Sequence, residues 1–543
     1  MKRRSFIKHA IGGTAIPVLL NGMPLNVIAN QFTSLLSKST NDHIVVMIQL
    51  AGGNDGLNTL IPVGQYDDYE AFRSNIAIPE SGDRSFITVN ENAPFNEQLG
   101  FHPDMGDTKQ MFDNDLVTII QNVGYDEMTM SHFRGRDIMF MGGGVNDYYA
   151  SGWMGRFLNE TYPGYPDNYP NTDMPDPLGL EFGYVQSLAF QRETGIPAGL
   201  AIYNPENFYQ LVTGTGVEPP SWLPNSYAGD EMQYLMDLEL KSNQYADRIK
   251  EVYDSGHNTS SVDYPEEYPH DVPQAFKQNP LSWQLKNVAR LISGGSKTKL
   301  FIVKIDGFDT HADQTIEDNP TMGIHAALLY HLSSSVKAFY DDLKAQNLDK
   351  KVLTFTSSEF GRRVNSNDSL GTDHGKAAPV FLFGPMLKEK IVGNVPNLSN
   401  LDDGNLIYEF DYRQIYTSIV MDWLDTPINI VETIYWGDFI DNRLDLIKSP
   451  DGVDENINGF ADIIIYPNPA TVSTTISISL QNNRVINISV FDVNGRKVIK
   501  VFEGELSTGT HDFKIDINQL SKGYYLVRAG SGLRISSKKL IVT

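Results

Sequence analysis

Hydrophobic positions along the chain fall into two regimes. Up to about residue 445, short apolar runs alternate with stretches whose apolar residues recur every three and four positions. Val45–Ala51, Leu300–Ile305 and Val352–Thr356 are runs of the first kind. His325–Leu343 (HAALLYHLSSSVKAFYDDL) shows the helical spacing. Such alternation predicts a mostly parallel sheet between helices. Beyond about residue 463 the period becomes two. Thr475–Leu480, Val485–Val493, Lys497–Phe502, His511–Ile517 and Tyr524–Ala529 read as short strands. Asn494-Gly495 between two of them is a strong hairpin signal, so the tail is expected to be a small antiparallel sandwich.

The segment from about 160 to 285 is rich in Tyr, Pro, Asn and acids. It is expected to decorate the sheet with loops and helices, as a lid over a site. Ser449–Asn456 is acidic and apolar-poor and reads as a solvated linker; its Asp and Asn residues lack the spacing and terminal Glu of a calcium-binding loop. The chain thus divides at 1–29, 42–445, 446–463 and 464–543.

At 543 residues with 41 % apolar composition the chain supports more than one domain and a large core. Its formal charge of −24 argues against binding nucleic-acid backbones. Without cysteine, disulfides, thiolate ligands and Cys nucleophiles are excluded. The 464–543 segment reverses the balance, with ten Lys/Arg against five Asp/Glu.

Arg3-Arg4-Ser5-Phe6-Ile7-Lys8 precedes an apolar stretch, Ala10 to Leu20, that is too short to span a bilayer. It resembles a twin-arginine export signal, with cleavage expected after Ala29. No other segment is long and apolar enough for a membrane span.

Chemistry concentrates where the apolar runs end. Val45–Ala51 leads into Gly52-Gly-Asn-Asp-Gly56, Leu300–Ile305 into Asp306-Gly-Phe-Asp-Thr-His311, and Val352–Thr356 into the turn carrying Glu359. A further turn holds Asp373 and His374. Carboxylates and imidazoles converging from separate strand ends make the pattern of a divalent-metal site. Asp309 and His311, alternating on extended backbone, share a face.

Two family resemblances add to this reading. Ile465-Tyr-Pro-Asn-Pro469, Val490-Phe-Asp-Val-Asn-Gly-Arg-Lys497, Leu520-Ser-Lys-Gly-Tyr-Tyr-Leu526 and Lys538-Lys539-Leu-Ile-Val542 resemble the type A sorting domain of type IX secretion. That resemblance implies passage through the type IX machinery to the outer surface or beyond. Four blocks of the body resemble the domain of unknown function 1501 family within the alkaline-phosphatase-like and sulfatase-like superfamily. They are Gln49–Thr59, Ser131-His-Phe133, Gly307-Phe-Asp-Thr-His311, and Ser358–Arg363 with Gly371–Gly375.

By that resemblance the fold is alkaline-phosphatase-like and Asp55 is a metal ligand, although Asn-Asp-Gly also favours a plain tight turn. Asp309 and His311 take the place of a carboxylate and histidine that relatives space differently, which leaves open whether Asp306 or Asp309 binds. Glu359-Phe360 stands where relatives have Asp-His, so an ion is lost or a ligand such as Gln314 or His325 is recruited. His374 matches a late histidine ligand, with Asp373 binding or orienting it. Ser131, before an expected helix His132–Met141, takes the place of the nucleophile and suits an N-cap equally. Arg134, Arg136 and Arg362 are candidates to clamp phosphate or sulfate oxygens.

The activity implied is hydrolysis of phosphate or sulfate esters, in a small anionic ester or a sulfated or phosphorylated polymer. It would use a divalent ion (Zn, Ca, Mn or Mg) in a secreted or cell-surface enzyme. The alternative is a non-catalytic surface or matrix protein that keeps the fold.

Overall fold

The computed structural model describes residues 41–206, 208, 223–224, 226–448, 462–480, 484–491, 497–531 and 534–543, with two short paired stretches, Leu19–Leu20 and Met23–Pro24. The twin-arginine motif, the cleavage site after Ala29, most of the 446–463 linker and the Asn494-Gly495 turn lie outside them.

The body is built on a nine-stranded sheet. Its strands are β1 (Ile44–Ala51), β2 (Val117–Gly124), β3 (Gly179–Phe182), β4 (Leu200–Ile202), β5 (Leu300–Asp306) and β6 (Val352–Ser357). They are completed by β9 (Ala378–Phe383), β10 (Ile391–Val392) and β11 (Phe410–Asp411), while Arg362–Ser366 (β7) and Thr372–His374 (β8) form a separate hairpin. The order is β10-β2-β9-β6-β1-β5-β3-β4, with β11 also on β2. Every pairing is parallel except the two made by β9.

β1 is the central strand, and its side chains alternate between two buried faces. Val46, Ile48 and Leu50 join a core with Leu285 and Val288 of one helix and Leu328 and Leu332 of another. Val45 and Met47 join a second core with Ile138, Trp153, Phe157 and Tyr416. The helices on the first face are α3 (Tyr227–Ser255), α4 (Pro280–Ser293) and α5 (Ile324–Ala345). Those on the second are α1 (His132–Met141), α2 (Trp153–Thr161) and α6 (Tyr412–Ser418). Among the described residues no helix is long and apolar enough to cross a membrane.

The register sets the site. Leu300 pairs with Val45 and Asp306 with Ala51, while Ser357 of β6 pairs with Gln49. Three neighbouring parallel strands therefore end nearly level, and the loops after them share one edge. The segment 160–285 differs from expectation. It holds a 29-residue helix, α3, and also two strands of the main sheet, β3 and β4. Strands of four and three residues are too short to show a period against their Gly- and Pro-rich flanks.

The tail forms two antiparallel sheets. Asp462–Tyr466 (β12), Ser473–Leu480 (β13) and Gly509–Asp516 (β16) make one. Lys497–Leu506 (β15), Arg484–Phe491 (β14), Gly523–Ser531 (β17) and Arg534–Val542 (β18) make the other. Ile476, Ile478, Ile488, Val490, Val527 and Leu540 from both sheets bury a common core, the arrangement of a small sandwich.

Candidate metal centre

Asp309, in the loop after β5, is the focus of the edge. Arg362 Nη2 donates to its Oδ1 at 2.8 Å, and His311 Nδ1 lies 2.8 Å from the same oxygen. His374 Nε2, at the end of β8, stands 3.3 Å from Oδ1, and His132 Nε2, the first residue of α1, stands 3.3 Å from Oδ2. Burial pushes the Asp309 carboxyl up, but the hydrogen bond and charge of Arg362, with His132 and His311, outweigh it and hold it below the usual range. It is a carboxylate at neutral pH.

The outer nitrogens of the two imidazoles each meet an acceptor. His132 Nδ1 is 3.1 Å from Glu359 Oε1, and His374 Nδ1 is 2.7 Å from the Met130 carbonyl oxygen. Both partners accept, so each Nδ1 carries a proton, and the tautomer with a bare Nε2 is the one suited to a cation. Ligand atoms of His132, Asp309 and His374 all lie within 4.8 Å of one another. His132 Nε2 is buried and makes no hydrogen bond. Burial lowers the pKa of His374, which favours its neutral imidazole. The group is compatible with a divalent cation. The carboxylate behind His132 and the carbonyl behind His374 are the supports that metal-ligating histidines ordinarily have.

Local packing makes the convergence possible. Gly52, at φ +123°, turns the chain where a Cβ would lie 2.2 Å from Asp309 N, so the loops after β1 and β5 touch. Gly52 N also donates to Glu359 Oε1 at 2.7 Å. At Gly135 a Cβ would meet the Glu359 carbonyl at 2.9 Å, which lets α1 press against the loop after β6 and bring His132 to Glu359. Phe360 is buried, with its ring centroid 4.9 Å from that of His132 and 4.5 Å from that of His374. Where an imidazole was expected, this ring packs beside both histidines.

The remaining sequence candidates do not join the group of His132, Asp309 and His374, although Glu359 and His311 touch it. Asp55 is fully buried. Arg73 Nη1 donates to its Oδ2 at 2.6 Å, and Gln314 Nε2 donates to the same oxygen at 2.6 Å. Arg73, also fully buried, reaches the Val364 and Arg363 carbonyls at 2.8 Å. His325, the other candidate recruit, contacts Asn54 Oδ1 at 3.1 Å and belongs to this buried network. Asp306 is exposed and pairs with Lys304, and Asp373 is exposed with Asn367 donating to it at 3.2 Å. Glu359 stands behind His132. His311 touches Asp309 through Nδ1 on an exposed ring.

Ser131 is the N-cap of α1, its Oγ accepting from Arg134 N at a long 3.5 Å. Arg134 donates to the carbonyls of Val145 and Asp147 and lies over the Tyr148 ring. Arg362 donates to the carbonyls of Gly52, Gly53, Phe308 and Thr372 besides Asp309. Arg136 lies 5.7 Å from the Phe133 ring centroid. His132 escapes the strand-end rule because it enters from a helix; its only signal in the sequence is its place within Ser131-His-Phe133.

Residues 288–405 match the family described as protein of unknown function (DUF1501), and residues 464–543 match the secretion system C-terminal sorting domain. None of the curated proteins matches. Among solved structures, the PsFucS1 sulfatase from Pseudoalteromonas sp. is similar at 11 % identity over 91 % of this chain and 87 % of that one, with a TM-score of 0.33. A putative sulfatase, yidJ, from Bacteroides fragilis is similar at 10 % identity over 89 % and 90 %, with a TM-score of 0.31. A protein in the alkaline phosphatase superfamily from Vibrio parahaemolyticus gives 10 % identity over 89 % and 82 %, with a TM-score of 0.29. Likenesses this weak carry no argument about this chain. It holds a DUF1501 segment at 288–405, which includes Asp309 and His374, and ends in a secretion system C-terminal sorting domain at 464–543 that marks it for export to the cell surface or the extracellular space.

Proposed function

We propose that the protein is an exported metal-dependent hydrolase of phosphate or sulfate esters. The observation that carries this reading is the convergence of the His132 and His374 Nε2 atoms on the Asp309 carboxylate at the sheet edge. Three protein ligands make the pattern of catalytic rather than structural metal sites. Two imidazoles favour zinc or a similar transition ion over calcium or magnesium. When bound, such an ion lowers the pKa of a coordinated hydroxyl or water and offsets charge on ester oxygens.

The chain's own residues have separable tasks in this reading. Glu359 and the Met130 carbonyl hold the two imidazoles in the tautomer that leaves Nε2 free. Arg362 keeps Asp309 ionised and fixed. Ser131 Oγ, next in sequence to His132 at the start of α1, is the candidate nucleophile, and its weak cap bond leaves it free to turn. The substrate is a small anionic ester or a sulfated or phosphorylated polymer. The same reading takes 1–29 as a twin-arginine signal, 42–445 as the catalytic body, 446–463 as a linker and 464–543 as the address read by type IX secretion.

One observation favours the non-catalytic reading. Arg134 and Arg362, the expected anion clamps, are engaged with backbone carbonyls inside the protein. Metal content of the purified protein, measured with its turnover of 4-nitrophenyl phosphate and sulfate, separates the two. Bound metal with turnover supports the hydrolase. Neither one leaves a surface protein with the fold as scaffold.

A further inference from the structure

The parallel strands β3 and β4 end at the same edge as β1, β5 and β6, and beyond them stand aromatic rings that the metal centre does not use. Tyr184 follows β3 and is 79 % exposed; Tyr203 follows β4 and is 51 % exposed. The two rings stack with centroids 4.2 Å apart and planes 14° from parallel. Trp283, in the first turn of α4, lies 6.0 Å from Tyr203 at 36° and is itself 38 % exposed. Phe182 props Trp283 from below, edge-on at 5.9 Å.

The platform is fixed rather than loose. Glu181, buried within β3, accepts from Ser187 N at 2.8 Å and from Ser187 Oγ at 2.9 Å, which ties the loop bearing Tyr184 back to the sheet. Tyr203 backs the inner face of Tyr184, so Tyr184 turns its outer face to solvent. At the end of β5, the strand next to β3, Lys304 and Asp306 form an exposed ion pair at 2.6 Å.

We infer that Tyr184, Tyr203 and Trp283 form a binding platform for an oligosaccharide lying along the sheet edge. Adjacent rings left in water at one spot are unusual on a soluble surface and mark a binding site. The C–H face of a pyranose packs on a flat aromatic ring, while its rim of hydroxyls stays free for water and polar neighbours. A nucleic-acid strand would also stack on aromatics, but it needs a cationic track, and the chain carries −24. A stable protein partner needs about 800 Å² on each side, more than three rings supply. β4 lies two strands from β5, about 10 Å at ordinary sheet spacing. A chain of a few sugars would span that strand separation. The platform stands on its own observations, and its link to ester hydrolysis alone rests on the proposed function.

Affinity electrophoresis of the full-length protein through gels containing laminarin, agarose, alginate or dextran sulfate tests the inference. Retardation by at least one polymer is expected, with at least tenfold weaker binding in Tyr184→Ala and Trp283→Ala and retained binding in Tyr184→Phe. Unchanged melting temperatures of the exposed-ring variants show that folding is not the cause. His374→Ala should bind the polymer like the parent while losing metal, so failure of the metal reading leaves the platform intact. No retardation by any of the four polymers, or retardation indifferent to both alanine variants, overturns the inference.

Discussion

His132 Nε2 lies 3.3 Å from Asp309 Oδ2, yet the buried nitrogen makes no hydrogen bond. With the proton on Nδ1, a cation between this nitrogen and the carboxylate makes the contact attractive. The nitrogen is held there from behind by Glu359, which fixes the proton on Nδ1. Arg362 occupies Oδ1 of the same carboxylate, which leaves Oδ2 facing His132.

Glu359→Gln is expected to weaken metal binding by about 10- to 100-fold, the usual effect of removing a carboxylate that supports a ligating histidine. A glutamine can still accept from His132 Nδ1, so the fold should persist. Competition titration with a chromophoric chelator reads the change. Unaltered affinity would show that Glu359 has no influence on His132.

The buried pair of Asp55 and Arg73 should serve stability. Burial alone would raise the Asp55 carboxyl, but Arg73, with His325 and the bonds from Arg73 and Gln314, holds it below its ordinary value of 3.8. The stabilisation it provides is complete above that value and is lost as the pH falls through the depressed one. Asp55→Asn leaves Arg73 buried without a counter-charge and is expected to cost about 3–5 kcal/mol in chemical denaturation. A loss of metal without a loss of stability would instead return Asp55 to the metal centre.

How much of this was legible in the sequence follows from where each residue sits. β1, β5, β6 and α5 show clear periods, and α1 spans His132–Met141 as its cap signal predicts. Asp309 and His374 were readable as strand-end residues. His132 was not, because its approach depends on how α1 packs through Gly135 onto the loop of Glu359. Nor could a local pattern show that Asp55 faces Arg73, since that contact depends on the turn after Tyr66–Phe72 folding beneath the site. Ladder pairing likewise assigned β3 and β4 to the main sheet, where composition suggested only decoration.

Stability should fall in mildly acidic solution through His325. Burial lowers its pKa from 6.5 to about 4, so the folded protein keeps it neutral. Below about pH 6.5 the unfolded chain takes up a proton that the folded one does not. Stability is therefore unaffected above that pH and declines as the pH falls towards 4, by about 3 kcal/mol from this group. His325→Gln, which can still donate to Asn54, should flatten the decline, while His102, also kept neutral by burial, retains its share. Melting temperatures of both proteins from pH 7 to 4 decide it, and parallel curves would exclude His325 as a source.

Ser131→Ala separates a nucleophile from a cap. The 3.5 Å cap bond is long, so its loss should cost only about 0.5–1 kcal/mol. If Ser131 attacks the ester, turnover disappears while metal content stays. Normal turnover with a lowered melting temperature would make it a cap alone.

The most direct test of the metal centre is elemental analysis of the full-length protein after chelation and reloading with zinc, manganese, calcium or magnesium in turn. One tightly held ion per chain is expected, absent from His132→Ala, Asp309→Asn and His374→Ala and retained in Asp373→Asn. A protein that holds no ion, or that keeps its ion through all three substitutions, would contradict the account.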